Sequence, residues 1–200
     1  MGSPEIQQII DFVEGRLSPK EFEQLLYANP RFEEVLNDNP DVALTDKIWS
    51  NLYLFVIEQN FNDPGGILNV HGVLEEFLQR HGIANKSTHV YSKLYDIILE
   101  AQPSWLDVDD SYIQKEFLSR AEGREGKELK EWLRAELLKK FRYTGKPPRW
   151  IQNPQWPINE HGPLVFFGQV SVKDYFHDEA AVYIFHCPVS GKCHVEMQVY

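Results

Sequence analysis

A change in apolar periodicity near residue 144 constrains the fold of this 200-residue chain more than any other feature. Over the first 143 residues, apolar side chains recur at helical spacing, as in Ile6, Ile9 and Val13. Prolines then interrupt the pattern, and the segments that follow alternate between apolar and polar residues, as β-strands do. The sequence therefore predicts a helical part over residues 4–143 and a β-rich part over residues 144–200.

Boundary signals divide the helical part into about eight helices. The most complete signal begins at Leu17, where Ser18 can cap a helix, Pro19 suits its first turn and Glu21 completes a capping box. Further boundaries are predicted at Asn29-Pro30, Asn39-Pro40, Thr45, Asp63–Gly66 and His81-Gly82, with later helices over residues 89–101, 112–121 and 126–142.

Three strands are predicted in the β-rich part: Pro163–Val172, Val182–Cys187 and Cys193–Tyr200. Three strands cannot bury both faces of a sheet by themselves, so we expect them to pack against helices. The predicted fold is α+β, with an N-terminal multi-helix array packed against a small C-terminal antiparallel sheet that ends in a β-hairpin. We expect residues 1–200 to form a single domain.

The terminal hairpin holds both cysteines of the chain. If a five-residue loop closes it symmetrically, Cys187 lies opposite Cys193 and His186 opposite His194. Side chains alternate across a strand, so the two cysteines then share an apolar face, while the two histidines and Glu196 share the polar face. Zinc prefers thiolate and imidazole ligands, but no tetrahedral site can collect groups from opposite faces.

Three states of these cysteines stay open: buried reduced thiols, a cross-strand disulfide and a metal site. We favour reduced thiols packed as small apolar groups. The chain shows no export signal and no membrane-spanning run, which indicates a cytoplasmic protein, where thiols stay reduced. Burial among apolar side chains is expected to raise the thiol pKa and make both cysteines poor nucleophiles.

The formal net charge of −10 is unevenly distributed. The first 120 residues carry a net charge of −11, and residues 121–150 carry +4. A negative field repels nucleic acid and speeds encounter with a basic partner, although the same charge also keeps a protein soluble. In the basic segment, glutamates at helical pairing distance favour a salt-bridged surface over an RNA contact, so nucleic-acid binding is not expected.

No catalytic motif is present: the chain lacks a His-Glu-x-x-His sequence, a Gly-x-Ser-x-Gly elbow and a glycine-rich phosphate loop. Three carboxylates between Trp105 and Ser111 suit helix capping by Asp109 or Asp110 better than a cation loop. We therefore predict no catalytic residue, no metal and no cofactor. A polar surface or cleft formed by His186, His194, Glu196 and Trp156 is the remaining candidate site.

Two stretches resemble known families. Ile6-x-x-Ile-Ile-x-Phe-x-x-Gly15-x-Leu-Ser-Pro-x-Glu-Phe22, followed by Leu25-Leu-Tyr-x-Asn-Pro30, resembles the start of small bacterial immunity-type proteins that accompany polymorphic toxins. Pro148-Arg-Trp-Ile-Gln-x-Pro-x-Trp-Pro157 with Pro163-Leu-x-Phe-Phe-Gly-Gln169 is similar to the uncharacterised YwqG-like family. The resemblance implies a cytoplasmic, non-enzymatic bacterial protein that binds another protein and neutralises a cognate toxin. The acidic charge of the first 120 residues agrees with a basic toxin domain as the partner.

An alternative function belongs to another class. The chain could be a small-molecule-binding protein or an enzyme that uses a cleft between the helices and the C-terminal sheet. A deep pocket with convergent polar groups would favour this alternative, whereas a flat surface would favour the protein-binding function.

Overall fold

The computed structural model describes residues 3–38, 48–172 and 178–200, and over these residues the chain has the predicted α+β fold. The described helices are α1 (Pro4–Val13), α2 (Pro19–Ala28), α3 (Arg31–Asn37), α4 (Leu52–Glu58), α5 (Pro64–Arg80), α6 (Val90–Ala101), α7 (Asp110–Glu116) and α8 (Gly126–Lys140), with 3-10 turns at Trp49–Asn51 and Leu118–Arg120. The described strands are β1 (Ile158–Asn159), β2 (Gly162–Pro163), β3 (Val165–Ser171), β4 (Ala180–His186) and β5 (Cys193–Val199).

The chain forms two compact units that divide inside α6, one up to Asp96 and the other from Ile97 to Tyr200. The first unit contains α1 to α5, and the second contains α7, α8 and all five described strands. This division falls well before the predicted change at residue 144, because two of the helices belong with the strands. A single domain over residues 1–200 stays a prediction.

Helix starts in the first unit follow the sequence signals. The Ser18 hydroxyl accepts a hydrogen bond from the Glu21 N–H at 3.3 Å, and the Glu21 carboxylate accepts one from the Ser18 N–H at 3.0 Å, which confirms the capping box. The predicted boundary at Asn39-Pro40 and the predicted cap Thr45 lie outside the described residues. Within them, α4 is capped by Asn51, whose side chain accepts from the Leu54 N–H at 2.8 Å.

Aromatic side chains fill the core of the first unit. The rings of Phe12 and Phe22 stack with centroids 4.5 Å apart, and Phe32 meets Phe22 edge to face at 5.8 Å. His71 is a buried polar residue of this core, and its Nε2 lies 3.0 Å from the Val13 carbonyl oxygen. This contact supplies the hydrogen bond that a buried imidazole requires.

The second unit is built around a three-stranded antiparallel sheet in which β4 lies between β3 and β5. A β-bulge at Phe167 shifts the β3–β4 register between Phe166 and Gly168. The edge of β3 that faces away from β4 is covered near the bulge. There the Thr144 N–H donates to the Phe166 carbonyl at 3.0 Å, and the Phe166 N–H donates to the Arg142 carbonyl at 2.9 Å. The short β1–β2 pair was not predicted from the sequence.

The inner face of the sheet is closed by aromatic packing. Tyr183 and Phe185 of β4 are fully buried. The ring of Trp150 lies 4.4 Å from that of Tyr183, and the ring of Trp156 lies 5.4 Å from that of Phe185. Trp156 also meets Phe141, which follows α8, edge to face at 5.7 Å. The sheet therefore packs against helical residues of its own unit.

The predicted register of the terminal hairpin is wrong by one residue. His186 lies opposite Cys193, and Phe185 lies opposite His194. The turn closes one residue earlier than expected because Gly191 adopts a φ of +69° and donates its N–H to the Cys187 carbonyl at 2.9 Å. Glycine tolerates this left-handed conformation, so four residues suffice where five were predicted.

The shift reverses the two faces of β5. Gln198 points inward and is only 3% exposed, whereas Val195 and Met197 point outward. The Gln198 Oε1 accepts hydrogen bonds from the N–H groups of Ile151 and Gln152, both at 3.0 Å. Its Nε2 donates to the Asn153 carbonyl at 2.9 Å. The prediction that Cys193, Val195 and Met197 face the core is therefore wrong, since a buried glutamine ties the loop to the sheet instead.

Replacement of Gln198 tests this connection. We expect Gln198→Leu to lower the free energy of unfolding by about 2 kcal/mol, because the Gln152 N–H and the Asn153 carbonyl lose the side chain that bonds them, while the Ile151 N–H keeps the Tyr183 hydroxyl. Urea denaturation followed by tryptophan fluorescence measures the change. Gln155→Leu, at an exposed position on the same loop, is the control and should change stability by less than about 0.5 kcal/mol. Equal stability of the two variants would contradict the proposed connection.

Candidate functional site

The outer face of the sheet, on the side opposite Tyr183 and Phe185, is apolar. Its side chains form three rows across the strands: Val170–Val182–Met197, Ile184–Val195 and Val165–His186–Cys193.

Large parts of this outer face are open to solvent. Val170, Val195 and Met197 are 54%, 57% and 54% exposed, respectively. Phe167 at the bulge is also exposed. Scattered exposed apolar residues are normal, but a cluster of them on one regular surface marks an interaction site.

The β5 edge adjoins this face. Hydrogen bonds from the Cys187 N–H to the Lys192 carbonyl and from the Tyr200 N–H to the Glu179 carbonyl fix which β5 residues bond to β4. By the antiparallel alternation, the backbone N–H and C=O groups of Cys193, Val195 and Met197 point away from β4. No described residue forms a backbone hydrogen bond with these groups.

The β5 edge is closed at its far end. The Gln152 Nε2 donates to the Val199 carbonyl at 2.7 Å. The stretch that can accept another strand therefore runs from Cys193 to Met197.

Two of the four predicted site residues lie together. The Nε2 of His194 is 2.5 Å from the Oε1 of Glu196, on the inner side of β5 near its edge. His186 lies on the outer face, opposite Cys193. Trp156 is 7% exposed and belongs to the aromatic core. The structure thus brings His194 and Glu196 together and places His186 and Trp156 elsewhere in the unit.

Both cysteines are free, but their surroundings differ. Cys193 is exposed on the outer face, and Cys187 is buried at the start of the turn. The prediction that both are buried is therefore wrong for Cys193. The register shift places the two on opposite sides of the sheet.

The surroundings of Cys187 lower its pKa to about 6. The largest cause is the Ser190 hydroxyl, followed by the Ser190 N–H, which lies 3.5 Å from the sulfur, and by the Asn159 side chain. Burial raises the pKa but is outweighed by these hydrogen bonds, which stabilise the thiolate. Burial was expected to raise the pKa of this thiol and so make it a poor nucleophile. That expectation is wrong, because the pKa is lowered.

A cavity of about 270 Å³ adjoins this thiol. It lies between the end of α8, the β1–β2 pair and the terminal turn, and its lining is rich in basic side chains. The chemically important lining residues are Lys139, Lys140, Arg142, Asn159, His161 and Cys187. Some of this positive charge is compensated, since Lys139 pairs with Glu136 at 2.6 Å.

Two larger cavities of about 420 and 430 Å³ follow the loop of residues 146–155. Lys146, Arg149, Trp105 and Trp150 contribute to the lining of the second cavity. The Trp150 Nε1–H donates to the Trp105 carbonyl at 2.8 Å, which orients the indole within the loop.

The carboxylates near Trp105 cap a helix, as expected. Asp109 accepts hydrogen bonds from the N–H groups of Ser111 and Tyr112 at 3.0 and 3.2 Å. Within residues 3–38, 48–172 and 178–200, no group of three or more His, Cys, Asp and Glu side chains is placed to hold a metal ion.

The basic helix α8 carries ion pairs of the predicted kind. Lys127 lies 3.6 Å from Glu131, and Lys139 lies 2.6 Å from Glu136. Lys130 pairs instead with Glu100 of α6, at 2.9 Å, which the spacing did not predict. The salt-bridged interpretation of this segment is confirmed. No helix in the described part of the chain is long and apolar enough to cross a membrane.

Comparisons of the chain with protein-family models, with curated proteins and with solved structures find no match in any of the three.

The environment of Cys187 predicts a thiolate near neutral pH. In a Cys193→Ser variant, thiolate absorbance near 240 nm should rise with a midpoint about pH 6, and Ser190→Ala should move this midpoint upward. Because the folded-state pKa is lowered, the stabilisation is present above the unfolded-state pKa near 9 and is lost as the pH falls through about 6. A midpoint near 9 in both variants would show that these hydrogen bonds do not act on the sulfur.

Proposed function

We propose that this protein binds another protein through the outer face of its sheet. The observation that carries the proposal is the joint exposure of Val170, Val195 and Met197 on that face. Apolar side chains at the centre of an interface supply most of its binding free energy. Each of these half-exposed side chains could contribute about 1 kcal/mol on burial, before the cost of association.

The charge of the chain supports a basic partner. A net charge of −10 speeds the encounter with a basic protein and disfavours nucleic acid. Together with the resemblance of residues 6–30 to immunity-type proteins, this charge supports a finer proposal: a bacterial, cytoplasmic protein that neutralises a cognate toxin by binding a basic toxin domain. In this function the apolar face provides affinity and the charge provides the association rate.

A lysine on the outer face tests the proposal. We expect Val170→Lys to weaken binding to the toxin at least tenfold, because the interface must then desolvate an ammonium group. The toxin tested is the product of the gene next to that of this protein in its own genome. Titration calorimetry measures affinity, and survival of cells that express both proteins measures neutralisation.

Val90→Lys is the matched control for this experiment. Val90 lies in the first unit, in α6, and is 63% exposed, so the substitution makes the same chemical change at a similarly open position that is not part of the sheet. We expect it to leave affinity and survival unchanged. Equal loss in both variants would place binding outside the outer face, and no binding by the wild-type protein would contradict the immunity function.

A second candidate function, the binding of a small anion, is favoured by the cavity beside Cys187. Arg142 and His161 line this cavity together with two lysines of α8. A carboxylate or phosphate group of a small molecule would suit such a lining. Cys187 would lie beside the bound molecule, which would correspond to the small-molecule function considered from the sequence.

Inorganic phosphate serves as the probe for this second function. We expect saturable protection of Cys187 against a thiol reagent by millimolar phosphate in the Cys193→Ser variant, and loss of protection in Arg142→Ala. Lys146→Ala, which removes a cation outside this cavity lining, is the control. Protection that does not saturate, or that is equal in both variants, would exclude a defined anion site.

A further inference from the structure

We propose that β5 is the docking strand for a second copy of this chain, paired antiparallel across a two-fold axis at Val195. The proposal rests on the open edge of β5 and does not depend on the proposed function. It follows from two properties of residues 193–197, the direction of their backbone groups and the order of their side chains.

The backbone of this edge is complementary to itself. Cys193, Val195 and Met197 direct their N–H and C=O groups away from β4, as an added antiparallel strand requires. With Val195 opposite Val195 of the second copy, Cys193 lies opposite Met197 at each end. These pairs would form about six backbone hydrogen bonds across the axis.

The polar side chains His194 and Glu196 complement each other in the same register. His194 of one copy lies opposite Glu196 of the other, and the reverse contact follows from the two-fold symmetry. These residues already meet within one chain, with 2.5 Å between Nε2 and Oε1. Dimerisation therefore places two imidazoles and two carboxylates in alternation across the interface, which is a favourable cross-strand arrangement.

Neighbouring registers are less favourable. Side-chain alternation requires shifts of two residues. One shift would bring Gly191 into the ladder, but its φ of +69° belongs to the turn and not to a strand. The opposite shift would pair Val199, whose carbonyl is already bonded to the Gln152 side chain, and would place Glu196 opposite itself. The register centred on Val195 thus makes the most hydrogen bonds.

The proposed assembly would close at two copies. The other edge of the sheet is covered near Phe166, where Arg142 and Thr144 bond to the β3 backbone. Closure follows because an isologous contact uses the same open edge of each copy and leaves no equivalent edge for a third. The outer faces of the two sheets would then form one apolar surface.

Sedimentation equilibrium measures the proposed association. We expect the wild-type protein to approach twice the monomer mass of 23.4 kDa as its concentration rises to about 200 µM, since a short strand contact gives modest affinity. Val195→Lys should raise the dissociation constant at least tenfold, because two lysines would meet on the axis and lysine disfavours edge pairing. Val170→Lys should leave the dissociation constant unchanged.

Val170 is a matched control because it is a valine on the same face with nearly equal exposure, 54% against 57% for Val195, but it lies on β3. A monomer at every concentration would overturn the proposal. Equal weakening by both lysines would overturn it as well, since that result indicates that two sheets stack face to face. Neither outcome bears on toxin binding, because the measurement contains no partner protein.

Crosslinking tests the register directly. In a Cys193→Ser background, Val195→Cys should be joined to its counterpart by a short bis-maleimide, since the paired Cα atoms would be about 5.5 Å apart. Val170→Cys in the same background should give no covalent dimer. Both variants also carry Cys187→Ser, because the lowered pKa of Cys187 would let it react with the reagent. A covalent dimer in both variants, or in neither, would contradict pairing of β5 about Val195.

Discussion

The register of the β4–β5 hairpin is the constraint on which the surface of the second unit depends. A shift of one residue exchanges every side chain between the faces of a strand. In the observed register, Gln198 enters the unit while Val195 and Met197 remain outside. The glutamine satisfies two N–H groups and one carbonyl of the adjoining loop. Tyr183 reinforces the same connection, since its hydroxyl accepts from the Ile151 N–H at 2.9 Å.

Magnitudes show that the two registers are close in this respect. Burying Val195 and Met197 from their half-exposed positions would gain about 2 kcal/mol in all. The Gln152 N–H and the Asn153 carbonyl would lose their hydrogen bonds to Gln198, each worth about 1 kcal/mol, while the Ile151 N–H would keep the Tyr183 hydroxyl. The hydrogen bonds of Gln198 therefore offset the apolar gain, and Val195 and Met197 can remain on the outer face.

Local chemistry explains which structural features the sequence predicts well. The capping box at Ser18, the cap at Asp109 and the Lys127–Glu131 pair of α8 involve residues within four positions of each other. Such contacts form wherever the helix forms, so their sequence signals are sufficient. The α+β class follows equally directly from the change of period.

The register and the candidate surfaces depend on contacts that are distant in the sequence. Gln198 meets Ile151 and Asn153 more than forty positions away, and no spacing rule relates them. A four-residue turn could have been inferred from Gly191, because a glycine after Pro188-Val-Ser favours a left-handed last turn position. His194 and Glu196 were expected to share a face, and alternation keeps them together in either register.

Cys187 combines one property that the sequence predicts, its burial, with one that it does not, the direction of its pKa. Its burial follows from the inward side of β4, but the direction of its pKa depends on donors in the turn and on Asn159 in another segment. Burial alone destabilises a thiolate, whereas hydrogen bonds directed at the sulfur stabilise it. Burial of a cysteine therefore does not establish that its thiol is inert.

The two edges of the sheet differ in whether their outward backbone groups are hydrogen-bonded. Residues 142–144 follow α8 and run beside β3, where they form hydrogen bonds with the backbone N–H and C=O of Phe166. This edge is therefore covered by the chain itself. Among the residues that the structure describes, the β5 edge is bonded by another segment at Val199 only. Natural edge strands commonly avoid association through lysine, proline or a bulge, yet residues 193–197 contain none of the three. An apolar face beside an unprotected edge is more consistent with a surface that is used for protein contact than with one that is only exposed to water.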